Sequence, residues 1–374
     1  MNLFYVGKLY PVGLISTSRM RMEELRRLGP QVISLDMTPH YNWGGKWIGA
    51  PFRRLKWGPP IWGLNREIVR RARACRPDVL WVDKGVWVCP RTLREVRRQG
   101  VRVLVHYTPD PAIVYHKNRH FLASIPEYDL IVTTKAYEVE LYRKYGAREV
   151  LLQYPSYDRD VHHPQVPTAE EVSQYAADVV FAGTYAPGRE KYLRPLARAG
   201  INLVIWGNVW NKCREPELQR HIRGRQVGGR DYALALSCAK IGLGVLSPLC
   251  PDRSTTRSLE IPACGTFLLA ERTEEHQALF EEGKEAVFFS SEEELVTHVH
   301  YYLNHEEERK RIAAAGRARC LANGYSSADR VKEVLDRLHQ LLHRVGQTDA
   351  SPRVAETNGN LPRRAAYHQT EPQS

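Results

Sequence analysis

The chain holds 374 residues with 54 Lys and Arg against 42 Asp and Glu, a formal net charge of +12, and an ordinary apolar share of 43%. That length supports two domains with their own cores and excludes a small scaffold that needs metal or disulfide staples. Seven scattered Cys with no CxxC pair exclude a zinc-ribbon or disulfide framework, and a reducing compartment fits them.

In chain order, residues 2–6 predict a strand, followed by a loop with Gly7 and Gly13. Residues 16–28 predict a helix that Ser16 can cap, with Met20, Leu25 and Leu28 on one face. A second strand at 31–36 completes a βαβ opening, and such sheets bind ligands at the carboxyl ends of their strands. The loop lacks a clean GxGxxG, so it is not read as a dinucleotide site; Gly13 is an acceptor-side candidate instead.

Residues 41–63 are an insertion, YNWGGKWIGAPFRRLKWGPPIWG, in which Trp43, Trp47, Trp57 and Trp62 alternate with Lys46, Arg53, Arg54 and Lys56. Two readings stand. One is a Pro/Gly-rich loop pinned to its domain by its own aromatics; the other is a docking surface for an acceptor glycan, a membrane or a nucleic acid. Basic helices at 65–75 and 91–99 alternate with strands at 79–82 and 101–105. His106 and Asp110, in HYTPDP, are then expected just past the carboxyl end of a strand, where sites are built. The plainer reading of Asp110 is the start of a turn before Pro111. Strands at 129–133 and 149–154 close a first domain, 1–154.

Residues 155–177 read as a linker. A second domain, 178–325, opens with the strand VVFAGTY, whose end carries Gly183 and Thr184. A helix at 187–199 follows, with Arg189 and Lys191 near its N-terminus, a place that suits cations only if an anion shares it. A strand at 202–206 ends in Gly207, residues 225–229 lead into a helix at 231–239, and a strand at 241–247 runs into DRSTTRSLEIPACGTFLLAE, 252–271. There Ser254, Thr255 and Thr256 precede a helix at 257–264, Gly265 ends it, and a buried strand spans 266–270. A hydroxyl-rich turn entering a helix is an anion cradle. Arg257 adds a cation that can grip phosphate with two N–H groups. Glu260, one turn in, can accept two hydrogen bonds from ribose hydroxyls. The plainer reading is a capped helix feeding a core strand. A helix at 274–281, a strand at 286–289, helices at 292–304 and 306–323 and an amphipathic helix at 326–345 follow. The tail, 346–374, is polar and aperiodic and reads as disordered.

Glu260-Ile261-Pro262-Ala263-Cys264-Gly265 resembles the end of the Glu-x7-Glu signature of retaining GT-B glycosyltransferases. TTRSLEIPACGTFLLAERTEEHQALFEEGKEAVFF resembles more closely the CgeB-like, spore-maturation glycosyltransferase-like branch. The resemblance runs over residues 1–344 and is strongest after Val179. It implies an α/β GT-B fold: two Rossmann-like domains facing across a cleft, with the last helix crossing back onto the first. It implies that Glu260 binds the donor ribose, that Arg189 and Lys191 neutralise the leaving phosphates, and that the backbone at Val227 meets the donor base. Gly183, Thr184, Gly207, Ser254, Thr255, Thr256 and Arg257 are the further donor-site candidates. His106 is implied as a donor-sugar contact and Asp110 as an acceptor contact. The first Glu of the signature is read at Arg253, a departure that bears on the sugar carried. Asp158-Arg159-Asp160 formally matches the metal-binding DxD of GT-A enzymes. The match is short, and Asp158, His162 and Pro164 also fit the crossover between GT-B halves, so no metal or other cofactor is expected beside a nucleotide-sugar co-substrate.

The expected activity is transfer of a sugar from a nucleotide-diphosphate donor to a glycan, lipid-linked or protein acceptor, metal-independent and retaining. An inverting reaction would need a base, and Asp110 is the first candidate. Two other classes fit: a DNA-modifying GT-B glucosyltransferase, and a non-catalytic sugar-nucleotide or glycan-binding protein, which Arg253 would allow. Residues 1–150 hold 26 Lys and Arg against 13 Asp and Glu, a net of +13, whereas 151–344 hold 25 against 26. The surplus predicts an anionic or carbohydrate acceptor, or an anionic surface, met by Arg53, Arg54 and Lys56 and by the clusters Arg70-Arg71-Arg73 and Arg94-Arg97-Arg98. Solvated helix faces are the plainer reading. The apolar run at 2–6 is too short for a signal peptide and no spanning segment follows, so a cytoplasmic protein is expected, with room for peripheral contact at the inner membrane face.

Overall fold

The computed structural model describes residues 1–9, 17–45, 47–114 and 118–350, with side chains to 347. Gly13, Ser16, Lys46 and the tail 351–374 lie outside the described residues.

Short apolar runs separated by amphipathic helices leave no hairpin route between strands, so the pairing is parallel. The first sheet contains β1 (Asn2–Gly7), β2 (Gln31–Asp36), β3 (Val79–Asp83), β4 (Val103–Thr108), β5 (Leu130–Thr133) and β6 (Val150–Leu152), in the order β2-β1-β3-β4-β5-β6. The second contains β7 (Ala177–Ala182), β8 (Leu203–Trp206), β9 (Ala239–Gly244), β10 (Phe267–Glu271) and β11 (Val287–Phe289), in the order β11-β10-β9-β7-β8. Every paired strand is parallel. Counted from its own first strand, the first sheet has the order 2-1-3-4-5-6 and the second 2-1-3-4-5. Each therefore reverses its winding once, between β1 and β3 and between β7 and β9, and opens a crevice at the strands' carboxyl ends there. This is the expected α/β pair of Rossmann-like domains.

Both faces of each sheet are covered, which explains why its strands are apolar throughout and do not alternate. One face of the first sheet packs Phe4, Leu80 and Leu104 under the helices Pro59–Cys75 and Pro90–Arg98. The other packs Tyr5, Trp81 and Val105 against Leu25 of the helix Thr17–Arg27 and against Val331, Val334, Leu335 and Leu338 of the last helix. That helix, Ser327–Ala350, starts after the second sheet and buries its apolar stripe on the first domain. Gln153 donates to Glu333 Oε2 at 2.8 Å, and Arg337 pairs with Glu149 beside it. The helix continues past Val345, where the sequence reading ended it: 346–350 holds no Pro, and its one Gly is no barrier at an exposed helix end.

Two local departures bear on the site. β4 extends to Thr108, so His106 lies inside the strand and not beyond it. The insertion is partly helical, with Thr38–Asn42 and Gly49–Leu55, the latter closed by Lys56 in the left-handed region at φ 50°. The next helix begins at Pro59, not 65, because Gly58 at φ 113° turns the chain and Pro59 takes the first helical position.

Candidate functional site

A cleft of about 410 Å³ opens between the domains at the carboxyl ends of β7 and β8. Its second-domain wall includes Gly183, Thr184, Gly207, Val227, Tyr232, Thr256, Arg257 and Glu260; Thr17, Arg19 and Met20 of the first domain face them, and Asp158, Val161 and His162 of the crossover segment close one side. Seven expected donor-site residues, scattered over 183–260, thus meet in one cavity. The glycine at 207 is a steric requirement: at φ 147° a Cβ would stand 2.0 Å from the Gly183 carbonyl oxygen.

Glu260 sits in the first turn of the short helix Arg257–Ala263, where its own amide donates to the Thr256 carbonyl at 2.8 Å. Its Oε2 accepts a hydrogen bond from Tyr232 Oη at 2.7 Å. Its Oε1 lies 3.8 Å from His162 Nε2. The amide of Asp158 donates to His162 Nδ1 at 2.9 Å, so the proton of a neutral ring sits on Nε2 and points at Glu260. One carboxylate oxygen is thus fixed by Tyr232 while the other keeps acceptor capacity toward the cleft. Tyr232 gave no sequence signal; His162 was read only as part of the crossover pattern.

Two guanidiniums dominate the electrostatics. Arg189 and Arg257 both stand 5.4 Å from the Phe181 ring centroid. Arg189 is 6% exposed. Its Nε donates to the Leu246 carbonyl at 3.1 Å and its Nη1 to the Thr184 carbonyl. Arg257 Nη2 donates to the Val245 carbonyl at 3.1 Å, while its buried Nε has no partner. Among the described residues neither forms an ion pair with a carboxylate. Burial, then the neighbouring Arg257 charge, holds the Arg189 guanidinium down at about 10. A buried and a part-buried like charge, with Glu271 offsetting only part of the Arg189 charge, are destabilising together, and a bound polyanion would offset that.

The remaining candidates separate. Thr256 lines the cleft, but Ser254 Oγ donates to Glu275 at 2.5 Å, and the helix has no side-chain cap. The turn is held instead by Ser258, which accepts from the Thr255 amide at 3.1 Å and donates to His276 Nε2 at 2.7 Å. Lys191 opens onto a second cavity, of about 350 Å³, with Tyr192, Asp252 and Glu271, so it does not share the cleft with Arg257. His106 is a correction: it is fully buried between Phe121 and Tyr128, ring centroids 5.1 and 5.2 Å away, with neither nitrogen bonded. Strand parity turns it into the core, so it reaches no ligand. Asp110 lies beyond β4 and pairs with Lys84 Nζ at 3.0 Å. The acid pair 158 and 160 is used locally: Asp158 accepts from the Asp160 amide at 2.8 Å, and Asp160 pairs with Arg27 at 2.5 Å.

Arg253 is also a correction. Seven residues between two acids place them eight positions apart, so the residue matched with Glu260 is Asp252. The apparent charge reversal is replaced by a carboxylate one methylene shorter than Glu. Arg253 pairs with Glu274 at 3.0 Å. Asp252 reaches across the domains: its Oδ1 lies 2.8 Å from Lys135 Nζ and accepts from Tyr137 Oη at 3.1 Å, both from the segment after β5. No local pattern announces that contact.

The basic clusters are mostly compensated. Arg70 and Arg71 face Glu67, Arg73 and Arg98 face Glu95, Arg94 faces Glu127 and Arg97 faces Asp129. They are ion-paired helix faces, the plainer of the two readings. Arg53, from the insertion, donates to the carbonyls of Tyr41 and Gly45 instead.

Residues 189–336 match the model of a family described as glycosyl transferase-like. No curated protein matches the chain by sequence. Its structure is similar to that of HepE from Anabaena in complex with UDP and glucose, with a TM-score of 0.65 at 11% identity over 91% of this chain and 100% of that one. It is similar to sucrose-phosphate synthase from Thermosynechococcus elongatus, with a TM-score of 0.63 at 14% identity over 92% and 100%. It is similar to α,α-trehalose 6-phosphate synthase from Burkholderia multivorans, with a TM-score of 0.60 at 12% identity over 94% and 99%. At these identities the shared property is the fold, the GT-B arrangement of two Rossmann-like domains.

Proposed function

We propose that the chain is a glycosyltransferase of the CgeB-like branch that takes a sugar from a nucleoside-diphosphate donor. The observation that carries this is Arg257, which lines a GT-B cleft beside Glu260 and forms no ion pair with a carboxylate among the described residues, with the buried Arg189 against the same Phe181 ring. Glu260 would accept the ribose hydroxyls, Val227 would border the base, and Arg257 and Thr256 would meet the diphosphate. HepE, of the same fold, is solved with UDP-glucose, so that donor is the first to test here.

In the reaction the bond from the anomeric carbon to the diphosphate oxygen breaks with its electron pair on that oxygen. An acceptor hydroxyl oxygen bonds to the anomeric carbon on the same face, and its proton passes to the departing phosphate. No protein nucleophile is needed. Arg257, with Arg189 behind it, stabilises the charge that develops, a role that fixed cations fill without a bound metal. Asp252 stands where the signature places its donor-sugar acid, which removes the main support for a non-catalytic protein. The compensated helices likewise weaken the nucleic-acid alternative.

Calorimetry with UDP and UDP-glucose, then a panel of nucleotide sugars with and without chelator, tests the proposal. It expects one nucleotide series to bind and donor turnover to survive chelation. Failure of every nucleotide sugar to bind would overturn it, and a strict divalent-ion requirement would overturn its mechanism.

A further inference from the structure

The chain has eight Trp. Four of them, Trp81, Trp87, Trp206 and Trp210, are buried in the cores, and the other four are exposed and lie within 43–62. Trp47 is 85% exposed, and Ile48 and Leu55, on the same segment, are 66% and 70% exposed. Other large exposed apolar side chains are scattered along the sequence, which is ordinary for a protein surface.

The segment is built, not frayed. Phe52 anchors it from the inside: Trp43 meets its ring edge-on at 5.5 Å, and Gly58 is so close that a Cβ there would stand 2.4 Å from Phe52 Cδ1. Trp57 and Trp62 meet edge-on at 4.7 Å. Ile48, just before the helix Gly49–Leu55, and Leu55 at its end flank the inward Phe52 and stay exposed, so with Trp47 they form an apolar ridge. The insertion therefore does not pin its tryptophans to the domain. It holds them out.

Charge identifies what covers them. Residues 37–66 contain Lys46, Arg53, Arg54, Lys56 and Arg66 and not one Asp or Glu. The stretch that follows differs in composition, since residues 67–98 include Glu67, Asp78, Asp83 and Glu95. An apolar ridge with flanking cations and no carboxylates is complementary to a surface that is both anionic and oily. Trp suits the headgroup layer, and aliphatic Ile48 and Leu55 gain from acyl chains what sugars or bases do not offer. The ridge follows β2 and is tied to the carboxyl edge of the first sheet. Tyr41 stacks on Trp87 at 3.8 Å and carries Lys8 Nζ 3.5 Å above its ring. Asp110 and Lys84 stand on that same edge.

We propose that the 43–62 ridge docks the first domain on an anionic lipid bilayer, with Trp47, Ile48 and Leu55 entering the interface and Arg54 and Lys56 meeting lipid phosphates. The docking needs no donor and does not depend on the sugar-transfer reading. If that reading also holds, the contact brings the acceptor edge to the membrane and selects a lipid-linked acceptor.

Vesicle flotation of the full chain is the test, with phosphatidylcholine alone against phosphatidylcholine containing phosphatidylglycerol. Binding to the anionic vesicles should be tighter by roughly 25-fold, since Arg54 and Lys56 at such a surface each contribute about fivefold. It should fall steeply with salt. W47S combined with L55S should abolish binding, while R54E combined with K56E should reduce it to the level on neutral vesicles. Brominated lipid should quench tryptophan emission of the parent chain, a readout that needs no variant. Absence of flotation with anionic vesicles, or equal flotation by W47S/L55S, would overturn the proposal. So would a change from dimer to monomer in W47S/L55S, or loss of nucleic-acid binding in R54E/K56E, without any vesicle binding by the parent.

Discussion

Each domain carries buried guanidinium at the crevice where its sheet reverses, and the two are handled oppositely. In the first, Arg21 meets Asp83 twice, Nε to Oδ2 at 2.7 Å and Nη2 to Oδ1 at 2.9 Å, and Tyr5 donates to the same carboxylate at 2.6 Å. Burial pushes the Asp83 carboxyl up, but the Arg21 charge and these hydrogen bonds outweigh it and hold it below the usual carboxylate range. The pair fastens the helix Thr17–Arg27, whose first turn lines the cleft. In the second domain, Arg189 and Arg257 donate to carbonyl oxygens and, among the described residues, form no ion pair with a carboxylate; Glu271 acts on Arg189 only from a distance. A charge completed within the chain holds structure; a charge left incomplete in a cleft keeps its complement for a ligand.

The sharpest way to break this comparison is to exchange the outcomes. Asp83→Ala leaves Arg21 buried and alone and should cost about 3–5 kcal/mol in urea unfolding. Replacing both partners, as Arg21→Met with Asp83→Leu, should recover most of that loss. The Asp83 contribution is fully present above its unfolded pKa, about 3.9, and is lost as pH falls through its lower folded value. A mild effect of Asp83→Ala at neutral pH would show that the pair does not hold the helix.

Arg189→Ala should do the reverse. Stability should hold or rise, because a desolvated charge is removed. The turnover rate should fall by about a hundredfold or more, equivalent to about 2.7–4 kcal/mol of transition-state stabilisation, with donor affinity changed far less. Unfolding curves beside steady-state rates check this, and a loss of stability with an unchanged rate would place Arg189 among the structural pairs. Glu260→Ala should weaken donor binding by about 1.5–3 kcal/mol, and Glu260→Asp by less. Calorimetry with UDP-glucose reads that difference, and unchanged affinity removes the ribose assignment.

The smallest effect concerns two buried histidines. Burial brings both His106 and His276 down to about 4. In an unfolded chain each protonates near pH 6.5, so stability is lost as pH falls below that value, by about 1.4 kcal/mol per residue at pH 5.5. His276 is satisfied, with Nδ1 donating to the Glu271 carbonyl at 2.6 Å and Nε2 accepting from Ser258. His106 has no partner. His106→Phe should therefore keep stability at pH 7 and flatten the acid limb, whereas His276→Phe should cost stability at both pH values. Urea titrations at pH 7 and 5.5 compare them, and a parallel loss in both variants would mean that His106 has a partner after all.

Much of the site was legible because its signals are local. Glu260 follows Arg257 by three positions on one helix, so both face one side wherever that helix packs. Gly183 and Gly207 follow apolar strands, and the carboxyl ends of parallel strands are where such sheets open. His106 was misplaced for an equally local reason: three more residues of strand, 106–108, place its side chain inside the sheet and not at its edge. Ser254 was misassigned because a hydroxyl beside a helix start has several acceptors within reach, and here it donates to Glu275 and does not line the cleft.

The sequence by itself determined the alternation of strands and helices, the two-domain division of labour in charge, and the helix that carries Glu260, since each depends on patterns a few residues long. Tertiary structure alone decided which cations are spent. Arg21 finds Asp83, and Lys135 finds Asp252 in the other domain, while among the described residues Arg189 and Arg257 form no ion pair with an acid. The four tryptophans at 43–62 differ from Trp81 and Trp206 for the same reason: burial is settled by what other segments of the chain bring to each side chain, and among the described residues these four stay 41–85% exposed.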